Sequence, residues 1–393
     1  MSGLKVLAVI PVYNHPENLR AMAEGALAVL PDLLVVDDGS ALPVSPLLAG
    51  LPLSLIRHEV NRGKGAAIKT AAAFASEHGF SHLVTLDADG QHDPAELVRF
   101  VEAAAGHPRA FIVGARDFAR ARNVPFSSRF GRRFSEFWMF IQTGRRVTDM
   151  QSGYRVYPVA ALGGLVLRDD RYSFEIEVLV KAAWSGFEII EIPASVFYPA
   201  ARDRVSHFRA FRDNWRLTVL NTRLTIRALV PVPFRELVWA DGPGPDRVSA
   251  RRPLQAFRRL MADSATPGRL AVSTAIPFMV NCLPLPGLQT FLLLWLIAAL
   301  KLNRPWSLAV SHACPPGFLP ALAIETGHYV LTGVWLTEFS WRTLGREAWS
   351  RLGDWLAGAL TGGPPAALAA ALAVYLAARL IGRGLARGTT HGR

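Results

Sequence analysis

The chain has 393 residues with a formal net charge of +12, and 51% of its residues are hydrophobic. Its mean hydropathy of +0.22 is high for a soluble enzyme, and a basic, apolar chain favours nucleic acid or an anionic membrane surface as a partner. The two cysteines, Cys282 and Cys314, exclude a disulfide framework and a zinc site with cysteine spacing, so a reducing compartment fits.

The chain opens with MSGLKVLAVIPVYN, in which a short apolar run leads directly into a turn motif. This run lacks the length and the cleavage site of a signal peptide. We therefore expect a first core strand here, and a front half of the protein that stays in the cytoplasm.

Residues 4–200 alternate short Val/Ile/Leu runs with stretches of helical pattern. The apolar runs KVLAVIPV, LLVVDD, HLVTLDAD and AFIVGAR are separated by helices expected near residues 16–29, 64–78 and 94–105, and a helix near 171–184 and a strand near 187–198 complete the series. Strands that alternate with helices at this spacing predict an α/β fold with a largely parallel sheet, covered on both faces.

The composition changes after residue 230. Residues 231–266 are rich in Pro, Gly and Arg and predict a linker, and three strongly apolar stretches follow, at 270–300, 305–337 and 352–381. Helix breakers (LPLPG, CPPG and GGPP) interrupt each stretch, and basic residues flank both of its ends. A bilayer-spanning helix needs about 20 apolar residues, and basic residues mark the cytoplasmic side. The pattern favours hairpins that enter and return, with true spans or a soluble helical domain as alternatives.

Two of the apolar arms come near the length of a span. The arm 318–337 is long enough to cross a bilayer, and the arm 366–381 is borderline. Glu325, His328 and Glu338 are ionisable residues in or beside these apolar stretches. Such residues are functional candidates by default, but placement at the level of the lipid headgroups fits them equally, and we assign them no role.

Residues 83–94, LVTLDADGQHDP, carry two aspartates directly after an apolar strand. Asp87 and Asp89 are two residues apart and point the same way at a strand end, and Gly90 lets the chain turn so that Gln91 returns to the same place. Two such carboxylates repel each other without a cation, and Mg²⁺ or Mn²⁺ takes carboxylates together with phosphate oxygens. We predict a metal–diphosphate site here. The alternative is a solvated turn in which an aspartate caps the next helix, a role that suits Asp93.

Ligands of a parallel sheet bind beyond the carboxyl ends of the strands, where IPVYN, VDDGS, NRGKGAA and LDADGQ are expected to converge. In NRGKGAA, Gly63 and Gly65 permit close backbone approach, and Lys64 offers a phosphate contact at a helix N-terminus. In VDDGS, Asp38 could accept a hydrogen bond from a ribose or a base, and a turn aspartate is the alternative.

Aromatic residues alternate with arginines over residues 118–138. This pattern could stack on nucleic-acid bases, but it suits a membrane interface as well, and the apolar C-terminal half favours the membrane. Residues 208–230 then predict an interfacial amphipathic helix, the alternative being a core helix with a solvated edge. Its apolar face would contain Phe208, Phe211, Trp215, Val219, Thr222, Ile226 and Leu229, and its basic stripe Arg212, Arg216, Arg223 and Arg227.

The motifs IPVYN, VDDGS, NRGKGAA, DADGQ and DMQSGYR, in this order and spacing, resemble those of the family two glycosyltransferases with the GT-A fold. Within that family, residues 5–225 most resemble the dolichol-phosphate mannose and glucose synthases and their bacterial polyprenyl-phosphate counterparts. The resemblance implies inverting transfer from a nucleotide sugar with Mg²⁺ or Mn²⁺. One departure is His15, which stands where the family usually has glutamate after YN.

The resemblance also implies roles for individual residues. Asp89 and Asp149 are the expected catalytic residues, Asp149 orienting the acceptor or serving as a base if the acceptor is a hydroxyl. Gln151 would lie beside them. The nucleotide sugar is expected at Pro11, Tyr13, Asp38, Lys64 and Asp87, and the metal at Asp87, Asp89 and Gln91. The acceptor phosphate is expected at Arg116, Arg129, Arg133, Ser152, Arg204 and Ser206.

The predicted organisation is a GT-A domain over residues 1–206, the interfacial helix over 207–230, the linker over 231–266, an all-α membrane-embedded domain over 267–385 and a basic tail over 386–393. The membrane domain resembles a small domain of unknown function, through PLPGLQT, the apolar run after it and the turn KLNRP.

We expect a glycosyltransferase on the cytoplasmic face of the membrane that moves a sugar to a polyprenyl phosphate. No nucleic acid is expected as a partner, and an oligomer is possible. One alternative keeps the donor site and takes a lipid hydroxyl as acceptor. A second alternative is a non-catalytic regulator that binds the nucleotide sugar, against which the intact DADGQ motif argues.

Overall fold

The structure is a computed structural model that describes residues 4–119, 121, 123–198, 210–229, 266–285, 287–313, 318–336 and 351–388. The described residues up to Arg227 belong to one compact unit, and those from Thr266 onward belong to a second. Several predictions fall outside the described residues, namely those on residues 231–265 of the linker, Arg204, Ser206, Phe208, the CPPG motif, Glu338 and residues 389–393 of the basic tail, together with the side chains of Phe211 and Arg212.

A seven-stranded sheet forms the centre of the first unit, in the order β3-β2-β1-β4-β6-β5-β7. Strand β6 is antiparallel to β4 and β5, and the other neighbouring pairs are parallel. The prediction of a mostly parallel α/β sheet is therefore confirmed. The strands are β1 Val6–Val12, β2 Leu33–Asp37, β3 Ser54–Arg57, β4 His82–Thr85, β5 Phe111–Arg116, β6 Arg155–Pro158 and β7 Ile189–Ala194.

Helices cover both faces of this sheet, because successive side chains of a strand point to opposite faces. On one face, Leu7 and Val9 of β1 pack in a core with α2, α5 and α6. On the other face, Ala8 and Ile10 pack in a core with α1 and α3. The helices of this unit are α1 Leu19–Leu27, α2 Lys64–Glu77, α3 Leu97–Gly106, α4 Phe126–Thr143, α5 Val159–Gly164, α6 Phe174–Trp184 and α7 Ala210–Leu229.

Helix α7 is the amphipathic helix predicted for residues 208–230. Trp215, Val219 and Ile226 of its predicted apolar face are exposed, whereas Leu220 and Leu224 are buried in the core of the unit. One member of the predicted basic stripe, Arg223, forms ion pairs within this unit. Its Nη2 lies 2.5 Å from Asp169 Oδ2 and 3.0 Å from Glu177 Oε1. The helix thus packs by one face and leaves an apolar face uncovered in this unit.

All secondary structure described in the second unit is helical. LPLPG and GGPP each separate two helices as predicted, and Pro364 and Pro365 lie in the first turn of the helix that follows GGPP, where proline costs little. The helix expected over 318–337 ends at Thr332, and Gly363–Leu380 is the stretch long and apolar enough to cross a bilayer among the described residues. The helices are α8 Pro267–Cys282, α9 Gln289–Ala299, α10 Arg304–Ala313, α11 Phe318–Thr332, α12 Leu352–Thr361 and α13 Gly363–Gly388.

Helices α11 and α12 cross at two glycines. A Cβ at Gly327 would overlap the carbonyl oxygen of Asp354, and a Cβ at Gly358 would overlap that of Ala323. Small residues allow this close backbone approach, which is typical of helix pairs in membranes. Near the crossing, His328 Nδ1 lies 3.0 Å from Asp354 Oδ2, and the buried Glu325 accepts a hydrogen bond from the Leu336 amide at 2.9 Å.

We predict that Gly358→Ala destabilises the second unit. The added methyl group overlaps the backbone of α11, and overpacking of this kind costs about 2 kcal/mol, so the melting temperature of the full chain in detergent should fall by several degrees. Gly353→Ala is the matched control, because no atom lies within 4 Å of its Cβ position on the same helix. Equal melting temperatures for the two variants would contradict the close crossing.

Candidate active site

The carboxyl ends of β1, β2 and β4 lie at one edge of the sheet, and the loops that follow them are tied together there. The amide of Asn14 donates to Ser40 Oγ at 2.9 Å, and Ala41 N donates to Asn14 Oδ1 at 2.8 Å. Asn18 Nδ2 donates to the carbonyl oxygen of Asp89 at 2.8 Å. The loops of IPVYN, VDDGS and DADGQ therefore meet at one edge.

Asp38 holds the NRGKGAA loop against this edge. Its carboxylate accepts hydrogen bonds from the amides of Arg62 at 3.0 Å and Gly63 at 2.6 Å, and it lies 2.7 Å from His58 Nδ1. Both oxygens of the buried carboxylate are engaged in the protein. The nucleoside contact predicted for Asp38 stays a prediction, while the structural role of its carboxylate is to start α2.

The glycines of NRGKGAA are required by packing within the protein. A Cβ at Gly63, where φ is +108°, would overlap Asp170 and Arg171, and a Cβ at Gly65 would overlap Phe174. The close approach expected of these glycines thus involves the segment before α6. It places Lys64 at the first position of α2, beside the acidic loop.

The DADGQ loop turns as predicted. Asp89 Oδ1 accepts a hydrogen bond from the Gln91 amide at 2.9 Å, and Gly90 between them has a φ of +73°. The carbonyl oxygen of Gln91 accepts from the Phe197 amide at 2.8 Å. This turn presents Asp87, Asp89 and Gln91 together on partly exposed positions at the edge of the sheet.

Lys64 joins two carboxylates at the centre of the site. Its Nζ lies 2.5 Å from Asp87 Oδ1 and 2.6 Å from Glu175 Oε1. Burial disfavours the charged ammonium group, but the two carboxylates outweigh this cost and hold the pKa of Lys64 above its ordinary value. Burial likewise disfavours charge on Asp87, and Lys64 outweighs it, so the pKa of Asp87 lies below its ordinary value. Sequence patterns had not indicated Glu175.

Asp89 and His92 complete the electrostatics of the acidic loop. Burial and the charge of Asp87 both raise the pKa of Asp89. Burial lowers the pKa of His92, although Asp87 and Asp89 pull it the other way. The pair of aspartates is thus left with repulsion that a cation would relieve.

A hard divalent cation fits this donor set. One ammonium group faces three carboxylates, those of Asp87, Asp89 and Glu175, so negative charge is in excess. Among the described residues, no three His, Cys, Asp or Glu side chains converge closely enough to bind a metal by themselves. Mg²⁺ usually binds one or two carboxylates and fills its other positions with water and phosphate oxygens, and Asp87 and Asp89 match that pattern.

Gly153 of the DMQSGYR motif closes this site from the other side. A Cβ at Gly153 would overlap the Asp87 carboxylate and the Lys64 ammonium group. Its carbonyl oxygen accepts from Thr85 Oγ1 at 2.7 Å. The fully buried Arg155 fixes the loop by donating to the carbonyl oxygens of Ser152, Met150 and Glu175.

Arg116 and Asp149, both predicted on the acceptor side, form a two-point salt bridge. Nε and Nη2 of Arg116 donate to the two carboxylate oxygens of Asp149 at 2.7 and 2.8 Å, and its amide donates at 3.1 Å. Burial raises the pKa of Asp149, but the hydrogen bonds and the charge of Arg116 outweigh it and hold that pKa below its ordinary value. Arg116 also donates to the hydroxyl of Tyr198 at 3.2 Å.

Two further residues hold this pair. The sequence indicated Arg132 only as a member of the aromatic–arginine pattern, and it did not indicate Glu191. Arg132 Nη1 donates to the carbonyl oxygen of Arg116 at 2.7 Å, and its Nε donates to that of Thr148 at 2.8 Å. Glu191 Oε1 accepts from the amides of Thr148 and Asp149 at 2.8 and 3.0 Å. The position of Arg116 is therefore built into the fold.

The other predicted site residues lie at varied depths. Pro11 is buried in β1, Tyr13 is half-buried, and Ser152 is buried with its Oγ accepting from the Tyr154 amide at 3.3 Å. Arg129 and Arg133 are exposed on α4. Gln151 Nε2 donates to Ser135 Oγ at 3.2 Å.

Two family models match the chain. The model described as glycosyl transferase family 2 matches residues 7–163. A second model, described as an uncharacterized protein conserved in bacteria (DUF2062), matches residues 251–389. The sheet, the acidic loop at its edge and the first match define a glycosyltransferase with a GT-A-like fold.

Known relatives lead to the same class. A polyprenol monophosphomannose synthase of Mycolicibacterium smegmatis is 32% identical over 48% of this chain and 76% of its own length. An undecaprenyl-phosphate mannosyltransferase of Micrococcus luteus is 28% identical over 48% of this chain and 82% of its own length. A UDP-N-acetylglucosamine–dolichyl-phosphate N-acetylglucosaminyltransferase of Methanococcus voltae is 28% identical over 50% of this chain and 88% of its own length. The chain belongs to the family 2 glycosyltransferases, which confirms the resemblance seen in its motifs.

We predict that Asp149→Asn destabilises the first unit in a pH-dependent way. Because the native pKa of Asp149 is depressed, its pairing with Arg116 contributes stability above the ordinary carboxyl pKa of about 4, and this contribution is lost as the pH falls through the lower native pKa. The variant should be less stable by about 3 kcal/mol at neutral pH. Unfolding measured across the acid range should show the difference shrinking below about pH 4. A difference that does not change with pH would contradict the ion pair.

We predict that Gly153→Ala inactivates the enzyme without unfolding it. The methyl group would displace Asp87 and Lys64, and a displacement of about 1 Å in a catalytic site costs about 100-fold in rate. The measurement is release of nucleoside diphosphate from the nucleotide sugar. Gly163→Ala is the control, because no atom lies within 4 Å of its Cβ position. Activity of Gly153→Ala equal to that of the control would refute the assignment of this crevice.

Proposed function

We propose that this protein transfers a sugar from a nucleotide sugar to a polyprenyl phosphate, with inversion at the sugar carbon. The observation that carries the proposal is the meeting, at one edge of the sheet, of an acidic loop whose carboxylates suit a divalent cation and an arginine held by several hydrogen bonds. The charge of Arg116 also helps to lower the pKa of Asp87, so the two halves of the site are electrostatically coupled. Two relatives are named for transfer to undecaprenyl phosphate and to dolichyl phosphate.

On the donor side, Asp87, Asp89 and Gln91 would hold Mg²⁺ or Mn²⁺. When bound, this cation neutralises the charge that develops on the leaving diphosphate. Lys64 supplies a second positive charge for the same diphosphate. Pro11 and Tyr13 would line the pocket for the base, and Asp38 would contact the nucleoside.

On the acceptor side, Arg116 would bind the phosphate. Asp149 acts as a positioning residue, because it holds the guanidinium group at two points and takes a third hydrogen bond from the Arg116 amide. A phosphate monoester is largely ionised at neutral pH, so it attacks the sugar without a strong base. Arg129, Arg133, Ser152, Arg204 and Ser206 are proposed as further contacts of this phosphate.

The state of Asp149 favours a phosphate over a hydroxyl as the acceptor. A hydroxyl acceptor needs a base, and the best base has a pKa near the working pH. The pKa of Asp149 is depressed, and its oxygens accept hydrogen bonds from Arg116. A lipid hydroxyl therefore remains the second candidate, and a non-catalytic regulator the third.

A location at the cytoplasmic membrane, with the first unit facing the cytoplasm, is part of the proposal. The rings of Phe126, Phe130 and Phe134 stack in sequence along α4, with centroids 6.4 and 5.9 Å apart. Their exposed fractions are 82%, 58% and 43%. Exposed arginines accompany them, and each arginine near an anionic leaflet contributes about 1 kcal/mol. These features suit the level of the lipid headgroups.

The test is a product assay on membranes that contain the protein, with Mg²⁺ or Mn²⁺, a panel of labelled nucleotide sugars and undecaprenyl phosphate. We expect label in the organic extract only when the polyprenyl phosphate is added, in a form that mild acid releases. Acid-stable label that needs no polyprenyl phosphate would instead support the hydroxyl acceptor. Binding of a nucleotide sugar with no turnover would support the regulator.

We predict that Asp89→Asn lowers turnover by about 1,000-fold, because it removes a charge that faces the cation and the diphosphate. Asp93→Asn is the matched control. Asp93 caps the turn that follows, accepting from the Ala95 amide at 2.9 Å, and asparagine caps as well as aspartate. Wild-type turnover of Asp89→Asn with metal present would show that the site assignment is wrong.

A further inference from the structure

The ammonium group of Lys64 lies where a metal is expected to bind. It contacts Asp87 Oδ1, the carboxylate predicted as a metal ligand, at 2.5 Å, and Glu175 Oε1 at 2.6 Å. The Lys64 side chain is only 15% exposed, and that of Glu175 only 7%. The three residues come from α2, the loop after β4 and α6. The fold therefore brings together residues from three separate segments of the chain.

A divalent cation at Asp87 would compete with Lys64. Like charges held a few ångströms apart in a largely buried site repel each other, and the Lys64 ammonium group already occupies Oδ1 of this carboxylate. We therefore expect Lys64 to move away from Asp87 when a divalent cation binds there. The nearest negative charges are then Glu175 and the diphosphate that accompanies the cation.

Glu175 is fixed independently of Lys64. It lies in the first turn of α6, where the helix dipole favours a negative charge. Its carbonyl oxygen accepts from Arg155 Nη1 at 2.7 Å, and Arg155 is itself completely buried. The backbone that carries the Glu175 carboxylate is thus held in place without any contribution from Lys64.

We propose that Lys64 is the counter-ion of Asp87 in the donor-free enzyme. When the divalent cation and the donor bind, the Lys64 ammonium group moves from Asp87 to the donor diphosphate. Glu175 is the positioning residue that keeps Lys64 within reach of Asp87 and of the diphosphate. This inference rests on the proposed function, because it takes the diphosphate as the second partner of Lys64. It assigns to Glu175 a role in donor binding, and it makes Lys64 a competitor of the metal.

The test measures Mn²⁺ binding to the donor-free full chain in detergent, by the electron paramagnetic resonance signal of free Mn²⁺. Lys64→Met removes the competitor and should tighten Mn²⁺ binding about tenfold or more, a change of about 1.4 kcal/mol. Glu175→Gln removes a negative charge and leaves Lys64 with Asp87 alone, so it should weaken Mn²⁺ binding. Lys69→Met is the control, since Lys69 on the same helix pairs with Asp170 Oδ1 at 2.7 Å and should not affect the metal.

Opposite effects of the two variants separate this role from a merely structural salt bridge, whose loss would disorder the site and weaken Mn²⁺ binding in both. Lys64→Met binding Mn²⁺ no tighter than the wild type would overturn the proposal. Lys64→Gln, whose neutral amide can donate hydrogen bonds to carboxylates, is the second variant should the methionine variant misfold, and it should also tighten Mn²⁺ binding.

The second partner of Lys64 is tested by equilibrium dialysis of labelled pyrophosphate in excess Mn²⁺. Lys64→Met should weaken pyrophosphate binding about tenfold or more, although it binds Mn²⁺ more tightly. Unchanged pyrophosphate binding would contradict the proposal that Lys64 contacts the diphosphate when the metal is bound. Both readouts are independent of the acceptor, so a protein that forms no polyprenyl-phosphate product would fail the proposed function and leave these results interpretable.

Discussion

The salt bridges of Lys64 with Asp87 and Glu175 are the interaction on which the rest of the site depends. A buried charge persists only when it is paired, and here one ammonium group compensates carboxylates from two different segments. The loop after β4, the start of α2 and the start of α6 are thereby brought to one point. Gly63, Gly65 and Gly153 are glycines for the same reason, since a side chain at any of them would overlap this junction or the segments that build it.

The acceptor side follows the same principle with a different cation. Arg116 is buried and paired with Asp149, and the pair is held by Arg132 and Glu191 through backbone groups. Pairing of this kind fixes a guanidinium group in position before any substrate arrives, and preorganised charge is a large source of rate enhancement in enzymes. The two basic side chains of the site therefore differ: Arg116 is held in one position by its hydrogen bonds, whereas we propose that Lys64 exchanges Asp87 for the diphosphate.

Much of this architecture could be predicted from the sequence, because parallel strands buried on both faces appear as continuous apolar runs. The strands β1, β2, β4 and β5 and the acidic loop were predictable for this reason. Strands β3 and β6 were not, since β3 is exposed at the edge of the sheet and β6 begins with the buried Arg155. Glu175, Glu191 and the structural role of Arg132 were missed because each depends on partners in other segments of the chain.

Local patterns were less reliable where an apolar or basic stripe has two possible partners. The basic stripe of α7 was predicted to face a leaflet, but Arg223 pairs with Asp169 and Glu177, and periodicity alone does not reveal such carboxylates. The close crossing of α11 and α12 at Gly327 and Gly358 depends on the pairing of helices, which a single sequence does not specify.

The most direct measurement is an experimental structure of the full chain with Mn²⁺ and the nucleotide sugar that the product assay selects. We expect Mn²⁺ against Asp87 and Asp89, with Lys64 Nζ moved from Asp87 to an oxygen of the diphosphate. Mn²⁺ bound elsewhere, or Lys64 still between Asp87 and Glu175 with the donor in place, would contradict the assignment of this edge of the sheet as the site of sugar transfer.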